Sequence, residues 1–369
     1  MNQSSAPYEV RLIIKRTKKR LSASWIETGG QPSKSFTLVL PFGQGEAADL
    51  RWYLEEYLDF PDPGYLTKVQ RIESQIAHWG DLLFDAVFGH KEGMQVYNNL
   101  LQAVRDGQPG LITLGSTDPD VLVQPWELLR DERGTLALRD ITLRRQLVGS
   151  KPTSHFDFNL PLRILLIVCR PTDAGFIDPR NSIPAVLDAR DALGVLVQVE
   201  FCDPPTFPHL EQLISQARKD KRPYHLVHFD GHGTYLPETG VGALAFEKDD
   251  ATTDLVTGSR FGALVSRLEI PLVLLEACRG ADLSQRPVFG SLAPALLKSG
   301  VGSVIAFSHS VHIQAAKILV QRFYNELVGG RSIGAALQEA RSALIASPHR
   351  FLHRGPDAKT IELHDWFIP

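Results

Sequence analysis

Two short segments of the sequence place reactive side chains beside glycine. The segment DGHG (230–233) follows the apolar run YHLVHF, and the segment EACRG (276–280) follows the apolar run PLVLL. A cysteine thiolate is a strong nucleophile, and an imidazole within reach can polarise the bond under attack and protonate the leaving group. His232 and Cys278 therefore predict nucleophilic catalysis, and the neighbouring glycines allow sharp turns and close approach of a substrate to the backbone.

The elements around these segments predict where the two side chains meet. From residue 161 onward, apolar runs typical of strands alternate with helical patterns. The predicted strands are 162–169, 197–202, 224–230, 271–278 and 302–308. The predicted helices are 183–193, 207–219, 259–268, 291–299, one that carries Ile313, Ala316, Val320, Phe323 and Leu327 on one stripe, and one that Ser332 caps. Such alternation predicts an α/β fold with a mostly parallel sheet and helices on both faces, whose active groups collect at the carboxyl ends of strands. We therefore expect His232 and Cys278 to face one cleft.

The first part of the chain has a different pattern, in which strands and helices are mixed. The predicted strands are 8–26, 35–41, 111–115 and 137–147, with a turn around Gly29–Gly30, and the helical patterns are 46–58, 79–88 and 94–105. The polar, proline-bearing stretch 149–154 is the expected boundary. We predict an α+β N-terminal extension over residues 1–150, packed on the sheet of a catalytic domain over residues 151–369. The basic cluster Lys15, Arg16, Lys18, Lys19 and Arg20 predicts a solvated face.

Composition excludes several classes of protein. The 39 Lys and Arg residues nearly balance the 42 Asp and Glu residues, so the net charge of −3 gives no field that would attract nucleic acid or a membrane surface. No run approaches the roughly 20 apolar residues of a membrane span. The three cysteines cannot form a disulfide framework, and residues 1–10 lack the apolar stretch of a signal peptide. We expect a soluble, cytoplasmic protein without nucleic-acid or membrane partners.

The cysteine and histidine segments match a known spacing. Cys278 lies 46 residues after His232, from 278 − 232, and caspases place their histidine about 50 residues before a Q-A-C-[RQG]-G cysteine. EACRG differs from that pattern only at its first residue. Further motifs of the chain are PWELL (125–129), His232-Gly233, GSLAPALLKSGVGS (290–303), Phe323-Tyr324, GGRSIGAALQEARSAL (329–344) and Asp365-Trp366-Phe367. In this order they resemble the CHAT family of caspase-like cysteine peptidases, relatives of caspases, metacaspases and separase, over most of residues 110–369.

The resemblance implies a caspase-like α/β sandwich and a cysteine-dependent endopeptidase, often under the control of an attached sensing module or a partner protein. Cys278 is then the nucleophile and His232 its acid–base partner, while the backbone N–H groups of Gly233 and Cys278 bind the oxyanion. No third catalytic residue is required. Asp230 could orient His232, because a spacing of two residues puts both on one face of a strand, although that spacing does not make them touch.

The acid two residues before the cysteine predicts the specificity. Caspases have Gln there and accept Asp, whereas metacaspases have an acid there and accept Arg or Lys. Glu276 therefore predicts cleavage of protein substrates after Arg or Lys, since a desolvated carboxylate favours a cation. Alternatively, Glu276 pairs internally with Arg279 or another cation and leaves the pocket neutral. The other candidates for this pocket, two acids and two wall residues, are Asp173, Asp230, Ser308 and His309.

Other interpretations of the same residues are weaker. His225, His228 and His232 have a zinc-like spacing, but His225 and His228 would point to opposite faces of a strand. Neither a G-x-x-x-x-G-K-[ST] segment nor a G-x-G-x-x-G segment opens a helix after a strand. We therefore expect no metal and no cofactor. Cys169 and Cys202 lie in or at the end of apolar strands, where structural burial is the default.

Two alternatives stay open. The domain could be a catalytically dormant scaffold for protein–protein interaction, although such a scaffold would be expected to have lost the cysteine or the histidine. The insertion 234–257, with a hairpin-like core at 240–246, could be a movable activation loop or an ordinary surface loop.

Overall fold

A computed structural model of the chain describes residues 6–18, 20–59, 61–150, 158–175, 183–279, 289–309, 311–352 and 359–368, and at positions 59, 277–279, 289, 290, 351, 352 and 359 it describes the backbone alone. The chain divides into two compact units, Met1–Val148 and Gly149–Pro369.

The first unit is built on a mixed sheet. Its strands are β1 (Tyr8–Thr17), β2 (Arg20–Glu27), β3 (Phe36–Leu38), β4 (Gly110–Ser116), β5 (Arg130–Asp131), β6 (Gly134–Thr135) and β7 (Ile141–Leu147). Its helices are α1 (Gln44–Arg51), α2 (Tyr57–Asp59), α3 (Leu66–Phe88), α4 (Lys91–Arg105) and α5 (Pro119–Leu122), with a π-helical turn at Trp52–Glu56 that joins α1 to α2. Among the described residues, the main sheet has the order β3-β2-β1-β4-β7, with β1, β4 and β7 parallel. An α+β N-terminal region is therefore present.

Two details of this unit differ from the sequence prediction or extend it. The predicted strand 8–26 is two antiparallel strands, β1 and β2, because the chain reverses near Lys18, which has a left-handed φ of 55°. The predicted turn around Gly29–Gly30 is present between β2 and β3, where the N–H of Gly30 donates to the carbonyl of Glu27 at 2.8 Å. In the PWELL segment, Trp126 is fully buried and its Nε1–H donates to the carbonyl of Val121 at 2.8 Å, so this segment packs in the core.

The second unit carries the predicted alternation of strands and helices. Its strands are β8 (Leu162–Val168), β9 (Val197–Phe201), β10 (Leu226–Leu236), β11 (Val241–Glu247), β12 (Thr253–Thr257), β13 (Leu272–Arg279), β14 (Ser303–Ala306), β15 (His349–Leu352) and β16 (Lys359–Glu362). Its helices are α6 (Ile183–Leu193), α7 (Phe207–Lys219), α8 (Gly258–Arg267), α9 (Phe289–Lys298), α10 (Ile313–Val328) and α11 (Ile333–Ala346). The expected cap of the last helix is present, since Ser332 Oγ accepts the N–H of Ala335.

The main sheet of this unit is mostly parallel. Strands β9, β8, β10, β13 and β14 are neighbours in that order and run parallel, while β11 and β12 add an antiparallel pair beside the end of β10. Odd-numbered positions of β10, such as Val227 and Phe229, lie in a core with side chains of α7, α8 and α9. Even-numbered positions belong to the other face, where Tyr324 of α10 reaches His228. Helices on both faces confirm the predicted α/β fold class.

Strand β10 runs without a break through the DGHG segment. The glycines were expected to turn the chain, but residues 231 and 233 are extended within β10. A Cβ on Gly231 would lie 2.9 Å from the ring of Phe229 and 3.2 Å from Cβ of Cys169, so this glycine allows close packing instead. The following insertion forms β11 and β12, which pair in the sheet. The hairpin-like core predicted at 240–246 is confirmed as β11, which pairs antiparallel with β10, whereas the interpretation of the insertion as a loop is wrong for most of its length.

Among the described residues, no helix is long and apolar enough to cross a membrane.

Candidate active site

The register of β10 and β13 brings the two predicted catalytic positions together. His232 and Cys278 are Cα partners across these parallel strands, and Asp230 and Glu276 are partners one step earlier on the same face. The strands form this ladder because both are apolar runs that bury Val227, Val273 and their neighbours. The thiol of Cys278, the side chain of Arg279 and Gly280 lie outside what the structure describes.

The imidazole of His232 is held by a backbone carbonyl. Its Nε2 lies 2.6 Å from the carbonyl oxygen of Gly175, and only 5% of the residue is exposed. A carbonyl can only accept, so Nε2 carries the proton, and in a neutral ring Nδ1 is then left with a lone pair. Nδ1 is buried and has no hydrogen-bond partner within the described residues. Nδ1 of His232 is therefore available to accept a proton.

Its surroundings keep His232 neutral. Burial lowers the pKa of His232 below its ordinary value of 6.5, and the nearby positive charge of Arg170 lowers it further, against the hydrogen bond to Gly175 and the charge of Asp230. At neutral pH the ring is therefore a base that can accept a proton.

Asp230 is paired with a cation at the end of β8. The guanidinium of Arg170 donates to Asp230 Oδ2 from Nη2 at 2.6 Å, and to the carbonyls of Cys169 and Asp230 from Nη1 at 2.8 and 3.0 Å. Neither ring nitrogen of His232 bonds Asp230, because Nε2 bonds Gly175 and Nδ1 has no described partner. The Gly175 carbonyl thus takes the orienting role considered for Asp230.

Glu276 is buried and bonded to a histidine. Its Oε2 lies 3.2 Å from Nε2 of His228, and Nδ1 of His228 lies 2.9 Å from the hydroxyl of Tyr324. Burial raises the pKa of Glu276, and burial together with the charge of Glu276 raises that of Tyr324 well above 10.0. A neutral His228 that donates to Glu276 and accepts from Tyr324 satisfies all three groups.

The remaining pocket candidates lie at two other places. Asp173 is exposed, and its Oδ1 accepts the backbone N–H and the hydroxyl of Thr253 at 2.8 and 2.7 Å. Ser308 donates from Oγ to the carbonyl of Ile368 at 3.0 Å and lies 3.1 Å from Nδ1 of His309. Asp230 and Glu276 are therefore the two candidates that the register places next to His232 and Cys278.

The other histidines and cysteines in question are structural. Nδ1 of His225 accepts the backbone N–H of Arg163 at 3.0 Å, and His228 is fully buried with both nitrogens bonded. Cys169 and Cys202 are buried and free; burial raises the pKa of Cys169 well above 9.0 and that of Cys202 to about 12. Both thiols are protonated at neutral pH. Within the described residues, no three His, Cys, Asp or Glu side chains come together as a metal site.

Comparison with known proteins decides the family. Residues 124–368, about two thirds of the chain, match the CHAT domain. The chain belongs to the CHAT domain family. The resemblance inferred from the sequence motifs is thereby confirmed, and this CHAT domain begins at the PWELL segment, within the first compact unit.

The crystal structure of the Drosophila initiator caspase Dronc is similar to the CHAT protein with a TM-score of 0.33 and 10% sequence identity, covering 59% of this chain and 87% of that one. No curated protein matches the sequence.

Sequence reasoning missed three groups of this CHAT site: the carbonyl of Gly175 and the side chains of Arg170 and Tyr324. Arg170 directly follows the apolar run LRILLIVC. A polar residue at the end of an apolar run is the signal that indicated Asp230 and Glu276, and the same signal could have indicated Arg170. The carbonyl of Gly175 has no side-chain pattern to reveal it.

Proposed function

We propose that this CHAT protein is a cysteine endopeptidase with Cys278 as nucleophile and His232 as its acid–base partner. The observation that carries the proposal is the register that pairs positions 232 and 278, together with a neutral imidazole whose Nδ1 is free. Membership of the CHAT family supports a protease fold. Cytoplasmic localisation, protein substrates and control by a sensing module or partner belong to the same proposal.

The residues support a complete cycle. Nδ1 of His232 takes the thiol proton, and the Cys278 thiolate attacks the carbonyl carbon of the scissile bond. The oxyanion is bound by the backbone N–H groups of Gly233 and Cys278, and loss of one such donor typically costs about 3 kcal/mol of transition-state stabilisation. As the C–N bond breaks, Nδ1–H gives its proton to the leaving amine and a thioester remains.

Water completes the cycle by attacking the thioester, with Nδ1 taking a proton from the water and returning it to the sulfur. Throughout both half-reactions the carbonyl of Gly175 keeps the other proton on Nε2. Because that bond restrains the ring, little reorganisation is needed between the steps.

We further propose cleavage after Arg or Lys. Asp230 and Glu276 lie at the register level next to His232 and Cys278, both almost fully buried, and Arg170 is the guanidinium paired with Asp230. Glu276 bonds the imidazole of His228, and the guanidinium that acts on it electrostatically, that of Arg170, is ion-paired with Asp230. A cationic P1 side chain would supply a positive charge next to Asp230 and Glu276, whereas an acidic P1 side chain would be repelled.

Peptide cleavage tests the proposal. Fluorogenic peptides that differ only in P1 (Arg, Lys, Gln and Asp) would be incubated with the wild-type protein and with Cys278→Ala, His232→Ala and, as a matched control, Cys169→Ala, each with and without candidate partners. We expect turnover of the Arg and Lys peptides that both active-site variants abolish and the control retains. Turnover that survives in Cys278→Ala would contradict the proposed nucleophile, and absence of turnover under every condition would favour the dormant scaffold.

A further inference from the structure

The carbonyl that orients His232 belongs to a short exposed loop. Residues 170–175, here called the orienting loop, follow β8 and end at Gly175, whose oxygen bonds His232 Nε2 at 2.6 Å. Both Asp173 and Gly175 are solvent-exposed, whereas Pro171 at the start of the loop is buried. Among the described residues, hydrogen bonds attach the exposed part of the loop to the rest of the unit.

Those hydrogen bonds lead to β11, β12 and the turn between them. The N–H of Arg170 donates to Glu247 Oε1 at 2.6 Å, and the N–H and hydroxyl of Thr172 donate to the carbonyl of Ala251 at 2.9 and 3.1 Å. Asp173 Oδ1 accepts two more bonds, from the N–H and hydroxyl of Thr253 at 2.8 and 2.7 Å. Among the described contacts, those of Asp173 are the closest in sequence to Gly175.

We infer that Asp173 and Thr253 are positioning residues, which hold the orienting loop so that the Gly175 carbonyl fixes the Nε2–H tautomer of His232. The inference rests on the proposed function and assigns to Asp173 a task other than recognition of P1. A carbonyl displaced by about 1 Å would no longer bind Nε2, and the proton would distribute over both ring nitrogens. The fraction of rings with a free Nδ1 would then fall.

The chain offers a matched control within the same turn. Asp250 Oδ1 accepts the N–H and hydroxyl of Thr252 at 3.0 and 2.6 Å, which is the same type of bond as that between Asp173 and Thr253, but it closes the turn on itself. Both aspartates are exposed, and in each the hydrogen bonds from threonine lower the carboxyl pKa. Removal of either should leave the fold intact.

The experiment compares Asp173→Ala and Thr253→Val with Asp250→Ala. Two conservative variants, Asp173→Asn and Thr253→Ser, keep the accepting oxygen and the donating hydroxyl. ¹⁵N NMR of the imidazoles at pH 8, with His232 assigned from the spectrum of His232→Gln, reports the tautomer without any need for turnover. The second readout is kcat and KM for the Arg peptide.

We expect Asp173→Ala and Thr253→Val to mix the two tautomers of His232 and to lower kcat roughly tenfold or more with little change in KM. Asp250→Ala, Asp173→Asn and Thr253→Ser should retain the single tautomer. An unchanged tautomer in Asp173→Ala would overturn the inference while leaving the proposed peptidase untouched. Conversely, a shifted tautomer in a protein without turnover would support the inference and count against the proposed function. Loss of Arg preference in Asp173→Asn with an intact tautomer would instead make Asp173 a P1-binding residue, which also overturns the inference.

Discussion

Asp230 and Glu276 are directly opposed on the parallel strands β10 and β13, each two residues before a predicted catalytic residue. They are 1% and 5% exposed, and the described guanidinium beside them, that of Arg170, is bonded to Asp230. Both carboxyl groups are desolvated at one level of the sheet, and the guanidinium is paired with one of them, so a further positive charge beside them is favourable.

Glu276→Gln should lower kcat/KM for Arg and Lys peptides without lowering it for the Gln peptide. Truncating one partner of a desolvated charge pair typically costs about 2 kcal/mol or more, which is roughly thirtyfold in kcat/KM. The measurement is the ratio of kcat/KM values for Arg and Gln at P1. Glu200→Gln, which removes an exposed carboxylate from β9, is the control. An unchanged ratio in Glu276→Gln, or an Asp preference in the wild type, would show that Glu276 does not select P1.

Alkylation should be selective for one cysteine. Burial raises the thiol pKa values of Cys169 and Cys202, so neither forms appreciable thiolate at neutral pH. We expect brief treatment of the native protein with iodoacetamide at pH 7 to add one carbamidomethyl group, which peptide mass spectrometry would locate on Cys278. Cys278→Ala should remain unmodified over the same time. Equal labelling of Cys169 would refute the assigned difference in reactivity.

The pH dependence of stability should carry a contribution from His232. The pKa of His232 is lowered below its ordinary value of 6.5 in the folded state, so the unfolded chain binds the proton more readily. The free energy of unfolding therefore loses this contribution as pH falls from about 6.5 through the folded-state pKa, and above 6.5 the contribution is constant. Urea denaturation of wild type and His232→Gln at several pH values isolates it from His225 and His312, whose pKa values are also lowered. We expect the free energy of unfolding to fall less at acidic pH in His232→Gln than in the wild type. Parallel plots of this free energy against pH would contradict a His232 ring that is buried and neutral.

The pH profile of peptide turnover reports the folded-state pKa of His232 through activity. Because the base is the neutral ring, the acidic limb of kcat/KM should lie below pH 6.5. A limb at or above that value would assign the base to another group.

The sequence predicted the strands that carry the site better than the contacts within it. The apolar runs of β8, β10 and β13 are strong signals because these strands are buried on both faces, and the stripe of α10 is one because that helix buries a single face. The unbroken course of β10 through Gly231 and Gly233 was not predictable from local preference, since glycine favours turns as readily as close packing.

The polar partners were harder to foresee. The bond between Glu276 and His228 depends on the register of two strands 48 residues apart, and the bond between Gly175 and His232 uses a main-chain oxygen that any residue possesses. The pairing of Glu276 with Arg279 concerns a side chain outside the described residues. The sequence analysis considered an internal partner for Glu276, either Arg279 or another cation, and the partner in the structure is His228.

A buried ion pair near the end of the chain should dominate local stability. Arg350 donates from Nε to Asp365 Oδ2 at 2.9 Å and from Nη2 to Oδ1 at 2.5 Å, and both residues are almost fully buried. Asp365→Ala leaves the guanidinium buried and uncompensated, which typically costs about 3–5 kcal/mol in the free energy of unfolding. Asp188→Ala, which removes an exposed partner of Lys317, should cost at most about 1 kcal/mol. Urea denaturation compares the two, and equal losses would contradict the assigned role of burial.

The most direct test of the paired thiol and imidazole is the pH dependence of the rate at which iodoacetamide modifies Cys278, measured by mass spectrometry in wild type and in His232→Ala. It requires neither a substrate nor an activating partner. If Nδ1 of His232 takes the thiol proton, the wild-type protein reacts at neutral pH and His232→Ala reacts about tenfold or more slowly there, recovering only as pH approaches the ordinary thiol pKa of about 8.5. Superimposable profiles for the two proteins would show that the thiol and the imidazole do not act together.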